Sequence, residues 1–424
     1  MAQPTQANGW LDVFQPPIYS GNDYLQILPL ESAGKHYPQI QHSDGHFVTG
    51  GNFVVVEILR WVNGNVYFMG TKPNEPGSRH LYVAPVEQSA AQECLTCDVV
   101  TQRGNECGYN SVSLNQNATF YVHTCLGPGI PEVVLRSTST GQPVRFVFET
   151  NTELEEKLEG KSLSERLDLT LSMNGYSVPA MLKLPRGYSP RQKYPLLVKV
   201  YGGPGSQSID NKWAVGFEDY LSSNYGVVTA IIDGRGTGFL SNEYMFEVYH
   251  RLGTVEIADQ IAGTQQLLRQ FSFLDAERTG IWGWSYGGYA SAHTLVQDTN
   301  DVFKCGLSTA PVTDWLFYDS MYTERYMGLP TFEDNIEGYY VNSLLDKVEA
   351  LRGKMYQLNH GVADDNVHYQ QAMLLVRALE LKDIEFEQHS YPDENHGLGG
   401  VRRAVYHNFD RFWSRCFGYQ RITV

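Results

Sequence analysis

The chain has 424 residues, 42% hydrophobic and 19% charged, a globular balance that excludes wholesale disorder and leaves ample chain for a large core. Its 32 Lys and Arg against 47 Asp and Glu leave a net charge of −15. That balance excludes broad binding to nucleic acid or to an anionic membrane, which needs a basic surface.

From the front, Met1-Ala2-Gln3-Pro4-Thr5-Gln6 has neither the basic nor the apolar part of a signal peptide. No stretch of the chain reaches the ~18 apolar residues of a membrane span. Residues 1 to about 150 read as β. Strand-like runs recur at 53–59, 66–69, 80–83, 119–122 and 144–148, and Asn63-Gly64 between the first two is a hairpin signal. Regular short strands of this kind suit a propeller or a sandwich. Cys94, Cys97, Cys107 and Cys125 cluster here, while Cys305 and Cys416 lie far apart. An even, clustered set reads as disulfides in an oxidising compartment; Cys107 and Cys125 form no second CxxC, which weighs against a zinc site. Asn117-Ala118-Thr119 is a glycosylation sequon, in keeping with secretion.

The charged, helix-like run 151–160 marks the expected boundary between a β domain (1–150) and a second domain (151–424). Beyond about 190 the pattern alternates. Strands are expected at 196–200, 227–232, 279–283, 355–358 and 384–391; helices at 254–270, after Ser285, at 367–381 and at 401–416. Strand–helix alternation implies a mainly parallel sheet covered on both faces, an α/β fold.

Gly283-Trp284-Ser285-Tyr286-Gly287 is a G-x-S-x-G sequence between a strand and a helix, the setting of a nucleophile elbow. A serine hydroxyl needs a base, and the base needs an orienting acid; in this arrangement they follow in the order Ser, acid, His. His396 lies in the loop after the last strand and is the expected base. The acid is expected in the loop after the preceding strand, at Asp364 or Asp365. His360, Asp364 and His368 have the spacing of a helical metal set, but Gly361 and the strand-to-loop position speak against one helix, and no metal or cofactor is expected. An oxyanion needs donors. One is the N–H of Tyr286, and the other belongs to Tyr201-Gly202-Gly203-Pro204-Gly205, through a backbone amide or the Tyr201 hydroxyl. Asp233-Gly234-Arg235-Gly236-Thr237-Gly238 departs from G-x-G-x-x-G, so dinucleotide binding is rejected.

At these residues the sequence resembles the dipeptidyl peptidase IV branch of the prolyl oligopeptidase family. The similar text runs through Trp282–Tyr289, Ala310-Pro311-Val312, Tyr318–Pro330, Asp233–Gly238 and His360–His368, and covers most of 190–424. The resemblance implies an α/β-hydrolase preceded by a β-propeller, with Ser285, Asp364 and His396 as the triad and Tyr201 and Tyr286 as oxyanion donors. It implies a proline-accepting pocket of Tyr286, Val312, Trp315, Tyr318, Tyr322 and Val367, with Asn366 on the substrate backbone. Flat aromatic walls suit a pyrrolidine ring. It implies disulfides Cys94–Cys97, Cys107–Cys125 and Cys305–Cys416. The implied activity is removal of N-terminal X-Pro or X-Ala dipeptides through an acyl-enzyme, by a secreted protein or the ectodomain of a type II membrane protein. A homodimer is implied for relatives. Asp319 matches dipeptidyl peptidase IV rather than the related fibroblast activation protein.

One departure stands out. The family carries a propeller of about eight blades and a Tyr-Glu-Glu-type segment holding the substrate's amine. Residues 1–150 contain no such segment and supply about three blades. The expectation is the back portion of a longer extracellular enzyme, with a catalytically impaired or purely binding member of the family as the alternative. An esterase of the same fold is a further reading.

Overall fold

A computed structural model describes residues 9–422, apart from 11, 13, 14, 90 and 140–142. Met1–Gln6, read above for a signal peptide, lies outside these. The front of the chain forms three successive antiparallel units. The first pairs Ile18–Ser20, Asp23–Ser32 and Lys35–His42. The second pairs Val55–Val62, Asn65–Lys72 and Glu75–Pro85, with the short Glu93–Cys94 on its edge. The third runs Tyr109–Leu114, Phe120–Gly127, Glu132–Ser137 and Phe146–Glu149, and joins the second through one bridge, Arg79 to Tyr109. The Asn-Gly hairpin forms as read: Asn63 and Gly64 both have positive φ, 52° and 73°, inside a two-residue turn closed by Val62 and Asn65. These units are the blades of a partial β-propeller.

A charged helix, Thr152–Leu158, buries no residue and leads to the α/β-hydrolase sheet. Its strands are β1 (Glu165–Met173), β2 (Tyr176–Leu184), β3 (Tyr194–Val200), β4 (Val228–Ile232), β5 (Leu274–Trp284), β6 (Cys305–Thr309), β7 (Met355–Gly361) and β8 (Glu387–Tyr391), in the order β1-β2-β4-β3-β5-β6-β7-β8. The hairpin β1–β2 and the β2–β4 pair are antiparallel, and the remainder is parallel. Side chains alternate across a strand. In β3, Leu196, Val198 and Val200 enter the larger core and Leu197 the smaller one; in β5, Ile281 and Trp282 divide the same way. Helices α1 (Val255–Gln270), α2 (Tyr286–Gln297) and α3 (Gln370–Leu381) cover the first face, and α4 (Arg402–Phe417) the second. This is the expected two-sided cover, with β8 starting three residues later than the alternation at 384–391 indicated.

The cysteines pair as Cys94–Cys97, Cys107–Cys125 and Cys305–Cys416, which excludes zinc at these thiols. The last bond ties β6 to the end of α4 across 111 residues. Replacing Cys305 and Cys416 together by serine is expected to cost about 2–4 kcal/mol in equilibrium denaturation, because the unfolded chain regains the freedom of that long loop.

Candidate active site

β3 has β4 on one side and β5 on the other, so the chain leaves the middle of the sheet in both directions. A crevice opens at the carboxyl ends of strands at such a point. The singled-out residues gather there. Tyr201 directly follows β3, Ser285 follows β5, Asp364 follows β7 and His396 lies beyond β8.

Ser285 has φ 61° and ψ −122°, a conformation avoided by residues with a side chain. It stands directly before α2, held by its N–H to Thr309 O at 2.8 Å. The two glycines are required by close approach. A Cβ on Gly283 would lie 2.2 Å from Gly287 O and 2.5 Å from Val200 O, and one on Gly287 would lie 2.2 Å from Val200 O. Tyr286 N–H is in the first turn of α2, where backbone donors have no partner within the helix.

Asp364 is the acid that meets the histidine; Asp365 is exposed. Asp364 Oδ2 lies 2.7 Å from His396 Nδ1 and 3.2 Å from His360 Nε2. Its Oδ1 accepts the N–H groups of Asn366 and Val367, each at 3.0 Å. Burial alone would raise this carboxyl, but the hydrogen bonds from His360 and His396 prevail and hold it well below the usual range. Trp284 Nε1–H donates to His396 O at 2.9 Å and ties the histidine loop to the serine turn. Among the described residues Ser285 Oγ has no protein hydrogen bond; such bonds commonly tighten only around substrate.

Tyr201 is 41% exposed, and its ring lies 6.2 Å from that of Tyr286. Partial burial, and next Tyr326, push the Tyr201 phenol up, which keeps it a donor. The loop carrying Tyr201 is held by the segment rejected above as a nucleotide loop. Gly205 N–H donates to Gly236 O and Gly238 N–H to Ser206 O, both at 2.8 Å, while the Asp233 carboxylate accepts the N–H groups of Ser208 and Ile209. Burial raises Asp233 to about 6.

The aromatic set does come together. Trp315 stacks on Tyr322 at 5.9 Å, meets Tyr286 at 5.8 Å and Tyr318 at 5.9 Å, and Tyr318 meets Tyr322 edge-on at 5.4 Å. Val312 and Val367 are buried in the same core. Asn366 is exposed and accepts the Tyr318 hydroxyl at 2.7 Å. Asp319 caps the helix Ser320–Met327 by accepting Tyr322 N–H at 2.8 Å. A cavity of about 750 Å³ lies elsewhere, between the blades and the hydrolase, and Ser285, Asp364 and His396 are not in its wall.

Two residues escaped the sequence reading. His360, passed over as the base and rejected as a metal ligand, supports Asp364 with its ring while also reaching Val367 O at 2.7 Å. Glu256 lies at the start of α1, 2% exposed. Its carboxylate accepts the backbone N–H groups of Gly253 and Thr254 and the Tyr286 hydroxyl, the last at 2.7 Å. Burial raises Glu256 against those hydrogen bonds. In sequence it is one more acidic residue in the first turn of a helix.

Comparison with known proteins bears on the same segments. The family model of the prolyl oligopeptidase family matches residues 213–420, and that of the dipeptidyl peptidase IV N-terminal region matches residues 4–132. The chain belongs to the prolyl oligopeptidase family. Within it, the chain is 45% identical to venom dipeptidyl peptidase 4 of Vespa velutina over 96% of its own length and 54% of the relative's. It is 40% identical to venom dipeptidyl peptidase 4 of Apis mellifera, covering 98% of this chain and 55% of that protein. The crystal structure of Porphyromonas gingivalis dipeptidyl peptidase 4 superposes with a TM-score of 0.83 at 30% identity, over 93% of this chain and 55% of that one. The chain thus spans about half the length of these family members.

Proposed function

We propose that this chain is a serine dipeptidyl peptidase that releases X-Pro and X-Ala dipeptides from peptide N-termini. The observation that carries the reading is the contact between Asp364 and His396, tied through Trp284 to a serine on a strained elbow. Ser285 Oγ attacks the scissile carbonyl, and His396 Nε2 takes its proton and returns it to the leaving amine. Asp364 orients the imidazole through Nδ1. Tyr286 N–H and the Tyr201 hydroxyl stabilise the oxyanion. The substrate's proline lies among Tyr286, Val312, Trp315, Tyr318, Tyr322 and Val367, with Asn366 on the peptide backbone.

The division into a β domain at 1–150 and a catalytic domain at 151–424 belongs to the same reading. Three disulfides fit an extracellular setting, secreted or as the outer part of a membrane-anchored protein. Asn117, exposed in a turn between strands, would carry glycan. A homodimer accords with the family resemblance.

The test is turnover of a Gly-Pro chromogenic amide, beside labelling by a fluorophosphonate. Turnover and labelling of Ser285 are expected; neither, in folded protein, overturns the proposal. A second reading, a family member with impaired catalysis, rests on the lack of a Tyr-Glu-Glu segment in residues 1–150, and labelling without turnover would favour it. Glu256→Gln is expected to lower kcat/KM for the amide about tenfold, roughly 1.4 kcal/mol, by loosening Tyr286 at both the pocket wall and the oxyanion. Unchanged steady-state kinetics would mean that ring packing alone holds Tyr286.

A further inference from the structure

The turn after the strand Lys35–His42 reads His42-Ser43-Asp44-Gly45-His46. Its backbone is pinned: His42 N–H donates to His46 O and Gly45 N–H to His42 O, both at 2.9 Å. Gly45 has φ 100°, a conformation open to glycine, and so lets the chain turn back this tightly. Both histidine rings then face one carboxylate. His42 Nδ1 lies 3.1 Å and His46 Nδ1 2.7 Å from Asp44 Oδ1. These three atoms all lie within 4.8 Å of one another.

The protons decide what such a cluster is. His46 Nε2 lies 2.8 Å from Val86 O, and a carbonyl only accepts, so Nε2 carries the hydrogen. A neutral His46 then presents a bare lone pair at Nδ1, aimed at an oxygen with no hydrogen to give. Asp44 Oδ1 already accepts the His46 backbone N–H at 3.0 Å. The Asp44 backbone N–H points at His42 Nδ1 at 3.4 Å, which puts that nitrogen in the accepting role as well. Two lone pairs, at His46 Nδ1 and Asp44 Oδ1, therefore face each other with His42 Nδ1 beside them, held only by that long N–H contact, and a cation satisfies all three once it replaces the contact.

We propose that His42, Asp44 and His46 form a binding site for a divalent transition metal of the zinc type, through the two Nδ1 atoms and the Asp44 carboxylate, with water completing the shell. Imidazole nitrogen with carboxylate oxygen is a zinc donor set, whereas calcium and magnesium take oxygen ligands. The supporting shell is in place. Val86 O fixes the His46 tautomer that frees Nδ1, as carbonyls do for metal-bound histidines. Trp61 stands edge-on against His42 at 5.8 Å and limits that ring's rotation. Ligand atoms around a tetrahedral zinc are about 3.3 Å apart, from legs of roughly 2.0–2.1 Å. Loading therefore moves Asp44 outward by roughly half an ångström, which its exposed side chain allows. The site lies in the first blade and uses no residue of the proposed reaction.

The competing cation is a proton, which would make His46 an imidazolium paired with Asp44. Titration of the chelator-treated chain with zinc chloride by calorimetry, and with cobalt(II) by visible absorption, separates the two. One equivalent of zinc and visible d–d bands of a low-coordinate cobalt site are expected. His42→Ala and His46→Ala should each weaken binding by about tenfold or more. Asp44→Asn, which preserves shape, should also weaken it, and His407→Ala, on the exposed face of α4, should leave it unchanged. Zinc should raise the melting temperature of the unaltered chain and not that of His46→Ala. Absence of cobalt bands in the unaltered chain, or equal zinc affinity in His46→Ala, overturns the proposal and leaves the proton in place.

Discussion

Ser285→Ala is expected to lower kcat for a Gly-Pro chromogenic amide by about 10⁶ while the fold remains intact. In the proposed mechanism the loss is this large because serine, histidine and aspartate act as a unit, so removing the nucleophile forfeits what the other two would supply. The residue's backbone adds a second, separable expectation. At φ 61° and ψ −122° the strain comes from the presence of a Cβ, and alanine keeps one. Ser285→Ala should therefore unfold at nearly the same denaturant concentration as the unaltered chain. Ser285→Gly should abolish turnover equally and be more stable than the alanine variant by about 1 kcal/mol or more, because it releases that strain. Measured activity and denaturation midpoints give the answer together. A glycine variant no more stable than alanine would mean that the turn is held without strain; retained turnover would point to a different nucleophile.

How far the sequence carried the reading follows from what each feature depends on. The elbow was legible because it is local: a strand, a five-residue sequence and a helix are contiguous, and the glycines are dictated by backbone contacts within a few residues and with β3. Strands β3, β4, β5, β7 and β8 are buried apolar runs or alternations, which stand out, whereas β6, with one leucine among small and polar residues, does not and was missed. Hairpin β1–β2 passed unnoticed, since Glu165–Met173 is largely exposed and Tyr176–Leu184 contains Pro179. The choice between Asp364 and Asp365 needed the resemblance, as two adjacent carboxylates differ only in the direction the turn gives them. The supports of the site were the least legible. His360 reaches Asp364 across a strand end, and Glu256 reaches Tyr286 from another helix, 30 residues away in sequence. His42, Asp44 and His46 are close in sequence, but the meaning of their spacing depends on Val86 O, which lies 40 residues beyond His46.

Asp364→Asn is expected to lower kcat by about 10⁴, and hydrogen-bond accounting says why. All four contacts of this carboxylate are acceptances: His360 and His396 at Oδ2, Asn366 N–H and Val367 N–H at Oδ1. An asparagine has one oxygen and one NH₂, so one side must become a donor. Turning the NH₂ toward the two fixed backbone N–H groups sets donors against donors. Turning it toward the two histidines is less costly, because a neutral His396 moves its hydrogen to Nε2 and accepts at Nδ1, while the His360 Nε2–H keeps Val367 O as its acceptor. His396 Nε2 is then already protonated and can no longer take the proton of Ser285, although every atom sits nearly where it did. The two chains should also differ in how stability depends on pH. Asp364 in the fold is held below the range of an unfolded aspartate, near 4, so its stabilising contribution is present above that range and lost as pH falls through the folded value. Between pH 7 and pH 3 the unaltered chain should thus lose stability more steeply than Asp364→Asn, measured by denaturant midpoints at each pH. Parallel loss in both chains would show that the carboxylate gains nothing from its two histidines, and would remove the electrostatic basis for assigning it the orienting role.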